Sequence, residues 1–175
     1  MELINTGIPV QFIKFRVEHH HDIKHTLLDQ ITNMGIHSII DKEQSISNSD
    51  YHLNESMYYN NRQYTKLFAP ILLSNFNKLK DYFKIPDVIL GKLWFQQYKK
   101  LDYHNWHTHP WCNLAGVYYL DLPNGASKTT FRIGETEFQI DVSEGDILIF
   151  PAWIPHSSKP NQSEHTKTVI AFNLN

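Results

Sequence analysis

Glu144-Gly-Asp-Ile-Leu-Ile-Phe-Pro-Ala-Trp-Ile-Pro-His156 is the stretch that decides how this chain is read. A short apolar run between a glycine turn and a proline reads as a buried strand, here over residues 146–150. The same unit recurs outward from it, at residues 88–98, 114–120, 129–133, 137–142 and 166–174. Turn signals separate these runs at Pro123-Asn-Gly125, Gly134, Ser143-Glu-Gly145 and Lys159-Pro-Asn161. Many short strands with few helices argue for a closed or sandwiched β unit.

Before residue 87 the pattern differs. Residues 8–17 alternate loosely and read as a strand. Residues 20–34 carry Ile23, Leu27, Leu28, Ile31 and Met34 at helical intervals, with Gly35 as the stop. Residues 41–62 are rich in Asn, Ser, Asp and Gln and read as a long connection. A second helix is expected over 62–83, with Pro70 starting, kinking or dividing it. The expectation is one domain over 1–175. Residues 1–86 would supply a strand and helices that buttress a β-barrel formed by 87–175.

Composition narrows the function. The chain has 175 residues, 41% of them hydrophobic, enough for one packed core. A formal net charge of −2 offers no basic stripe, so nucleic acid is not favoured as a partner. The single cysteine, Cys112, excludes a disulfide within the chain and suits a reducing compartment. Neither a secretory leader nor an apolar run of membrane-spanning length is read, so a soluble cytoplasmic protein is expected. The oligomeric state is open, a homodimer being one option.

The histidines carry the chemistry. There are eleven, so a single His-x-His pair says little. His19-His20-His21, among Glu18, Asp22 and Lys24, reads as a solvated turn or helix start. His107-Thr-His109 is different, because strand residues at i and i+2 share a face. His156 lies far enough along the chain for strands to return it to the pair. Three such imidazoles would hold a metal facially, with open positions left for reactants. His104 has the wrong parity for that face. It is left out of the ligand set, with substrate binding as its alternative role.

The ordered set is Tyr98, His107-Thr-His109-Pro110, the strand ending Tyr118-Tyr119-Leu-Asp121, Gly145-Asp…Pro151…His156, and Lys167-Thr-Val-Ile-Ala-Phe-Asn173. It resembles the Fe(II)/2-oxoglutarate-dependent dioxygenases, chiefly the prolyl-hydroxylase-like branch and oxygenases encoded by phage and marine bacterial genomes. The resemblance covers about residues 90–175. It implies a mainly β double-stranded β-helix, a jelly-roll or cupin-like barrel with supporting N-terminal helices. It also implies hydroxylation of an unidentified substrate with conversion of 2-oxoglutarate to succinate and CO2. By position it makes His107, His109 and His156 the Fe(II) ligands. It places Lys167 on the far carboxylate of 2-oxoglutarate, with Tyr98 and Tyr119 nearby. Trp94, Trp106, Trp111 and Trp153, all in the barrel half, read first as ordinary core and rim packing and second as a lining of the barrel mouth.

The chain departs from that family at three points. His109 stands where a carboxylate is usual, with Asp102 and Asp121 as substitutes by sequence distance alone. Val169 stands where many members carry Ser. Lys167 replaces the commoner Arg, giving a point charge in place of a fork. Two other readings compete. A cupin-type three-histidine dioxygenase would need no 2-oxoglutarate, but 110–118 hold none of the carboxylate its motif expects. A barrel that lost its chemistry would be a binding module.

Overall fold

The computed structural model describes residues 2–5, 10–36, 38–41, 45–53, 62–83 and 87–175. Twelve strands and two long helices occur among them. The strands are β1 (Glu2–Asn5), β2 (Gln11–Arg16), β3 (Ser38–Asp41), β4 (Ser45–Ser49), β5 (Leu90–Tyr98), β6 (Tyr103–His107), β7 (Leu114–Asp121), β8 (Thr129–Ile133), β9 (Thr136–Gln139), β10 (Asp146–Pro151), β11 (His156–Ser158) and β12 (Lys167–Leu174). The helices are α1 (His20–Thr32) and α2 (Gln63–Phe83).

The strands form one curled antiparallel sheet in the order β1-β2-β10-β7-β12-β5-β4-β6-β11-β8-β9, with β3 on β4. Strand β4 joins its two halves. Asn48 and Ser49 pair with Gln97 and Gln96 of β5, whereas Ser45 and Ile46 pair with His104 and Tyr103 of β6.

Period-two alternation builds two cores from the same strands. On β7, Ala115, Val117 and Tyr119 face the barrel interior with Leu148, Phe150 and Phe131. Tyr118 and Leu120 face the other way, beneath α1 and α2, with Ile147, Ile149, Ile170 and Phe172. The helices close that outer face with Leu27, Ile31, Phe68, Leu72 and Phe76. Gly116 lets the layers meet: a Cβ there would lie 2.2 Å from the Phe172 ring.

The N-terminal half corrects several expectations. Strand β2 spans Gln11–Arg16, and residues 8 and 9 of the expected strand lie outside the described residues. Helix α2 runs unbroken through Pro70. Pro70 is exposed, so water can satisfy the carbonyl its missing N–H leaves free. The polar segment 41–62 is not simply a connection, since β4 lies within it; residues 42–44 and 54–61 lie outside the described residues. Its end is anchored at a buried cluster. Arg62 Nε donates to Asp50 Oδ2 at 2.7 Å, the Tyr64 hydroxyl donates to the same oxygen at 2.5 Å, and Phe95 N donates to Asp50 Oδ1 at 2.8 Å. Desolvation and the Asp50 charge push the Tyr64 phenol far up, so it stays a donor.

His20 is a further correction. His19 and His21 are exposed, as a solvated turn requires, but His20 is buried. Its Nδ1 lies 2.6 Å from the Tyr118 hydroxyl and its Nε2 3.2 Å from Glu144 Oε1. Lys24 bonds both Glu144 and Asp121 at 2.9 and 2.8 Å. Despite a desolvation cost, bonds from Lys24, Leu122 N and His20 hold the Glu144 carboxyl at about 2. This polar seam fixes α1 to the turn before β10.

Candidate metal centre

His107, His109 and His156 converge, each offering a ring nitrogen within 4.8 Å of the others. His107 ends β6, and His156 begins β11 directly opposite it in the ladder. His109 lies just past the strand, held by its N–H to Ala152 O at 2.9 Å. Backbone carbonyls set two tautomers. His107 Nδ1–H donates to Asn105 O at 2.8 Å, and His156 Nδ1–H donates to Ile154 O at 3.0 Å. Each therefore keeps its Nε2 lone pair, the arrangement that orients metal-binding imidazoles.

Burial keeps the cluster neutral. Desolvation lowers His156 well below the ordinary value and lowers His107, while desolvation and the neighbouring His107 take His109 down to about 4. His109 Nε2 sits 3.2 Å from His156 Nε2. Two imidazole nitrogens on one ion at right angles would lie about 3 Å apart, given bonds of about 2.1 Å. The donor set fits a borderline divalent metal.

Lys167 enters the same cavity from β12. It is 2% exposed, and Nζ donates to Ser127 O at 2.9 Å and Ser158 Oγ at 2.6 Å. The Tyr98 ring lies 4.2 Å from Nζ. Desolvation alone brings the ammonium down to about 7. One of its three N–H groups remains for a ligand. Ser158 follows His156 by two residues, so strand parity could have found it; it supplies a hydroxyl to the cavity, where Val169 supplies none.

Other expected residues divide. Tyr98 lines the cavity, but Tyr119 meets it only through Thr129, whose Oγ1 accepts its hydroxyl at 2.8 Å. Trp94 lines the cavity. Trp106 packs under Arg132 instead, 4.6 Å from the guanidinium carbon. Trp111 and Trp153 stand in solvent, 91% and 61% exposed. Asp102 accepts from Lys99 N and Asp121 pairs with Lys24, so neither supplies the missing carboxylate.

His104, set aside as a ligand on strand parity, is nevertheless part of the site. It lines the cavity, its ring stacked on His107 at 3.9 Å between centroids and 10° between planes. Positions three apart share a face here because the β6–β11 register shifts between His156 and Ser158. Such an irregularity re-aims side chains, and no residue type announces it. Burial and the neighbouring histidines bring His104 down to about 3.

The narrow inner cavity, about 40 Å³, shares Trp94, Gln96 and the three histidines 104, 107 and 109 with a wider groove of about 260 Å³. The groove runs along β4 past Ser45, Ser47 and Ser49.

Solved structures share the fold that carries this cluster. The chain is similar to a viral collagen prolyl hydroxylase of Paramecium bursaria Chlorella virus-1, solved with 2-oxoglutarate, at 12% identity and a TM-score of 0.67, covering 93% of this chain and 94% of that one. It is similar to a prolyl-4-hydroxylase of Pseudomonas putida at 12% identity, TM-score 0.61, covering 95% and 93%. It also resembles HygX of Streptomyces hygroscopicus, solved with nickel, 2-oxoglutarate and hygromycin B, at 11% identity, TM-score 0.60, covering 94% and 82%. The fold is that of the 2-oxoglutarate oxygenases. No family model matches the chain, and no curated protein matches it. At these identities the likeness concerns the double-stranded β-helix fold, and the histidine cluster must argue the chemistry by itself.

Proposed function

We propose that this protein is a non-haem Fe(II)- and 2-oxoglutarate-dependent oxygenase that hydroxylates an unidentified substrate and releases succinate and CO2. One observation carries the reading: three neutral imidazoles and a buried lysine share one cavity. His107, His109 and His156 would hold the iron, and Lys167, with Ser158, would hold the far carboxylate of the keto acid. Together iron and keto acid supply the capacity to activate oxygen and oxidise a C–H bond. The chain supplies the rest. Carbonyls of Asn105 and Ile154 fix the ring tautomers. Phe150 packs on His156 at 4.8 Å and, with Val117 and Val169, keeps the inner wall dry. Arrival of a carboxylate restores the Lys167 charge that burial opposes, which couples cosubstrate binding to protonation. The cavity has the volume of about three waters, so the diacid must displace side chains of its lining to enter.

A second reading keeps the metal and drops the keto acid: a three-histidine dioxygenase. It is favoured by the absence of any carboxylate among the described residues lining the cavity, and opposed by Lys167, which it leaves without a task. The single cysteine suits a cytoplasmic setting, and among the described residues no helix is long and apolar enough to cross a membrane. The chain would act as one domain, and its charge does not favour nucleic acid as a partner.

The test is oxygen uptake and succinate release by protein reconstituted anaerobically with Fe(II). Both should require 2-oxoglutarate and disappear in His156→Ala. Uptake independent of the keto acid would favour the second reading. Failure to bind iron would leave a binding module.

A further inference from the structure

His104 belongs to no ligand set named so far, yet its protonation is dictated by a chain of hydrogen bonds. The Tyr98 hydroxyl donates to Gln96 Oε1 at 2.8 Å. That contact orients the Gln96 amide, so Nε2 is the atom facing His104 Nδ1, at 3.0 Å. An amide nitrogen only donates, so Nδ1 accepts and the ring proton sits on Nε2. Among the described residues that N–H has no hydrogen-bond partner, and it is not among the buried unsatisfied atoms. The ring lies flat on His107, which places this donor one ring thickness from the metal cluster.

The groove it borders has a consistent chemistry. Its described lining contains no Asp, Glu, Lys or Arg. Ser45, Ser47 and Ser49 project into it from alternate positions of β4. Their hydroxyls are largely engaged: Ser45 Oγ donates to Tyr103 O, Ser49 Oγ donates to Phe95 O, and Ser47 lies 3.0 Å from Ser45. Their effect is therefore mainly spatial, since three small side chains leave open a space that larger ones would fill. Trp94 forms an aromatic wall beside it. At about 260 Å³ the space falls just under the range of drug-sized sites and suits a single ring. No described side chain lining the groove offers a charged group an ion-pair partner.

We propose that this groove seats an uncharged, ring-sized portion of the substrate and that His104 Nε2–H positions it by donating to one of its oxygens. The proposal rests on the oxygenase reading for its chemistry, but not for its binding. An uncharged oxygen-bearing ring can come from a sugar or from an acylated cyclic amine, and the two sources are tested side by side.

The experiment uses the full chain with Zn(II) as a redox-inert metal and saturating 2-oxoglutarate. Two matched sets of probes are titrated: methyl glucoside, glucuronate and glucosamine; and N-acetylprolinamide, N-acetylproline and prolinamide. Binding is read from 15N-detected shifts of the His104 imidazole and the Trp94 indole. A neutral member of at least one set should bind more tightly than its charged partners and move the His104 Nε2 resonance. His104→Phe keeps a ring against His107 and removes the donor, so affinity should fall about tenfold, the worth of one hydrogen bond. Ser47→Phe fills the groove from the opposite wall and should abolish binding, with a cooperative thermal transition as the check on folding. Tighter binding by a charged member, no binding by either neutral member, or unchanged affinity in both variants overturns the proposal. Loss of Zn(II) and 2-oxoglutarate binding with retained neutral-probe binding would instead overturn the oxygenase reading and leave the groove assignment standing.

Discussion

His109 Nε2 lies 3.2 Å from His156 Nε2, and only one of the two can carry a proton. His156 already bears its proton on Nδ1, committed to Ile154 O. The bridging proton therefore belongs to His109 Nε2 in the metal-free protein. A metal would displace it to His109 Nδ1, a tautomer change with no change in charge.

The first prediction follows from that contact. His109→Ala should weaken Fe(II) binding by at least tenfold, because two imidazoles alone make a poor site. His109→Asp should retain iron, since it supplies a hard anionic donor at the same place. Metal titration under anaerobic conditions decides it. Iron binding as tight as wild type in His109→Ala would remove His109 from the ligand set.

Lys167→Ala should weaken 2-oxoglutarate binding by about 1.5–3 kcal/mol, the loss of a charge-assisted bond. Calorimetry with Zn(II)-loaded protein measures this without turnover. Lys167 is buried and bonds Ser127 O and Ser158 Oγ, so urea denaturation of the variant is read alongside to separate lost packing from lost binding. An unchanged affinity would place the keto acid elsewhere or exclude it.

The histidine cluster makes the metal-free protein acid-sensitive. His104 and His109 titrate at about 3 and about 4 when folded, and His107 and His156 are also lowered from the ordinary 6.5. Below 6.5 the unfolded chain binds more protons than the native one. Stability should thus be full above pH 6.5 and fall as pH drops toward 4, by about 1.4 kcal/mol per pH unit for each proton of difference. Urea midpoints between pH 4 and 8 test this. Bound Zn(II) should sharpen the fall, because protons then compete with the metal as well.

Gly145→Ala should cost about 1–3 kcal/mol without touching the metal cluster directly. Gly145 has φ +88°, and a Cβ there would meet His20 Cγ at 2.9 Å. The penalty should shrink when His20→Ala is combined with it, leaving the backbone term. Chemical denaturation of the two single variants and the pair measures that coupling.

How much of this was legible depends on where each residue's partner lies. The barrel strands could be read because Ile147, Leu148, Ile149 and Phe150 are apolar on both faces, and both faces are buried. His107, His109, His156 and Lys167 were legible as an ordered set. Strand β4 was not, because Ser-Ile-Ser-Asn-Ser turns serines toward a groove where alternating apolar residues are not needed. His20 looked solvated because its partners, Tyr118 and Glu144, come from distant strands. His104 was set aside on strand parity, and a shifted register overrode that parity.

Strand β4 pairs with β5 through one end and with β6 through the other. It works as the spine of a book whose covers are the two halves of the sheet. The histidines are printed on one cover, with Lys167 on the other, and the binding decides how far the pages stand apart. Rewriting the spine would alter what fits between the covers while leaving the text on each untouched, so change in substrate preference should accumulate in β4 rather than at the metal.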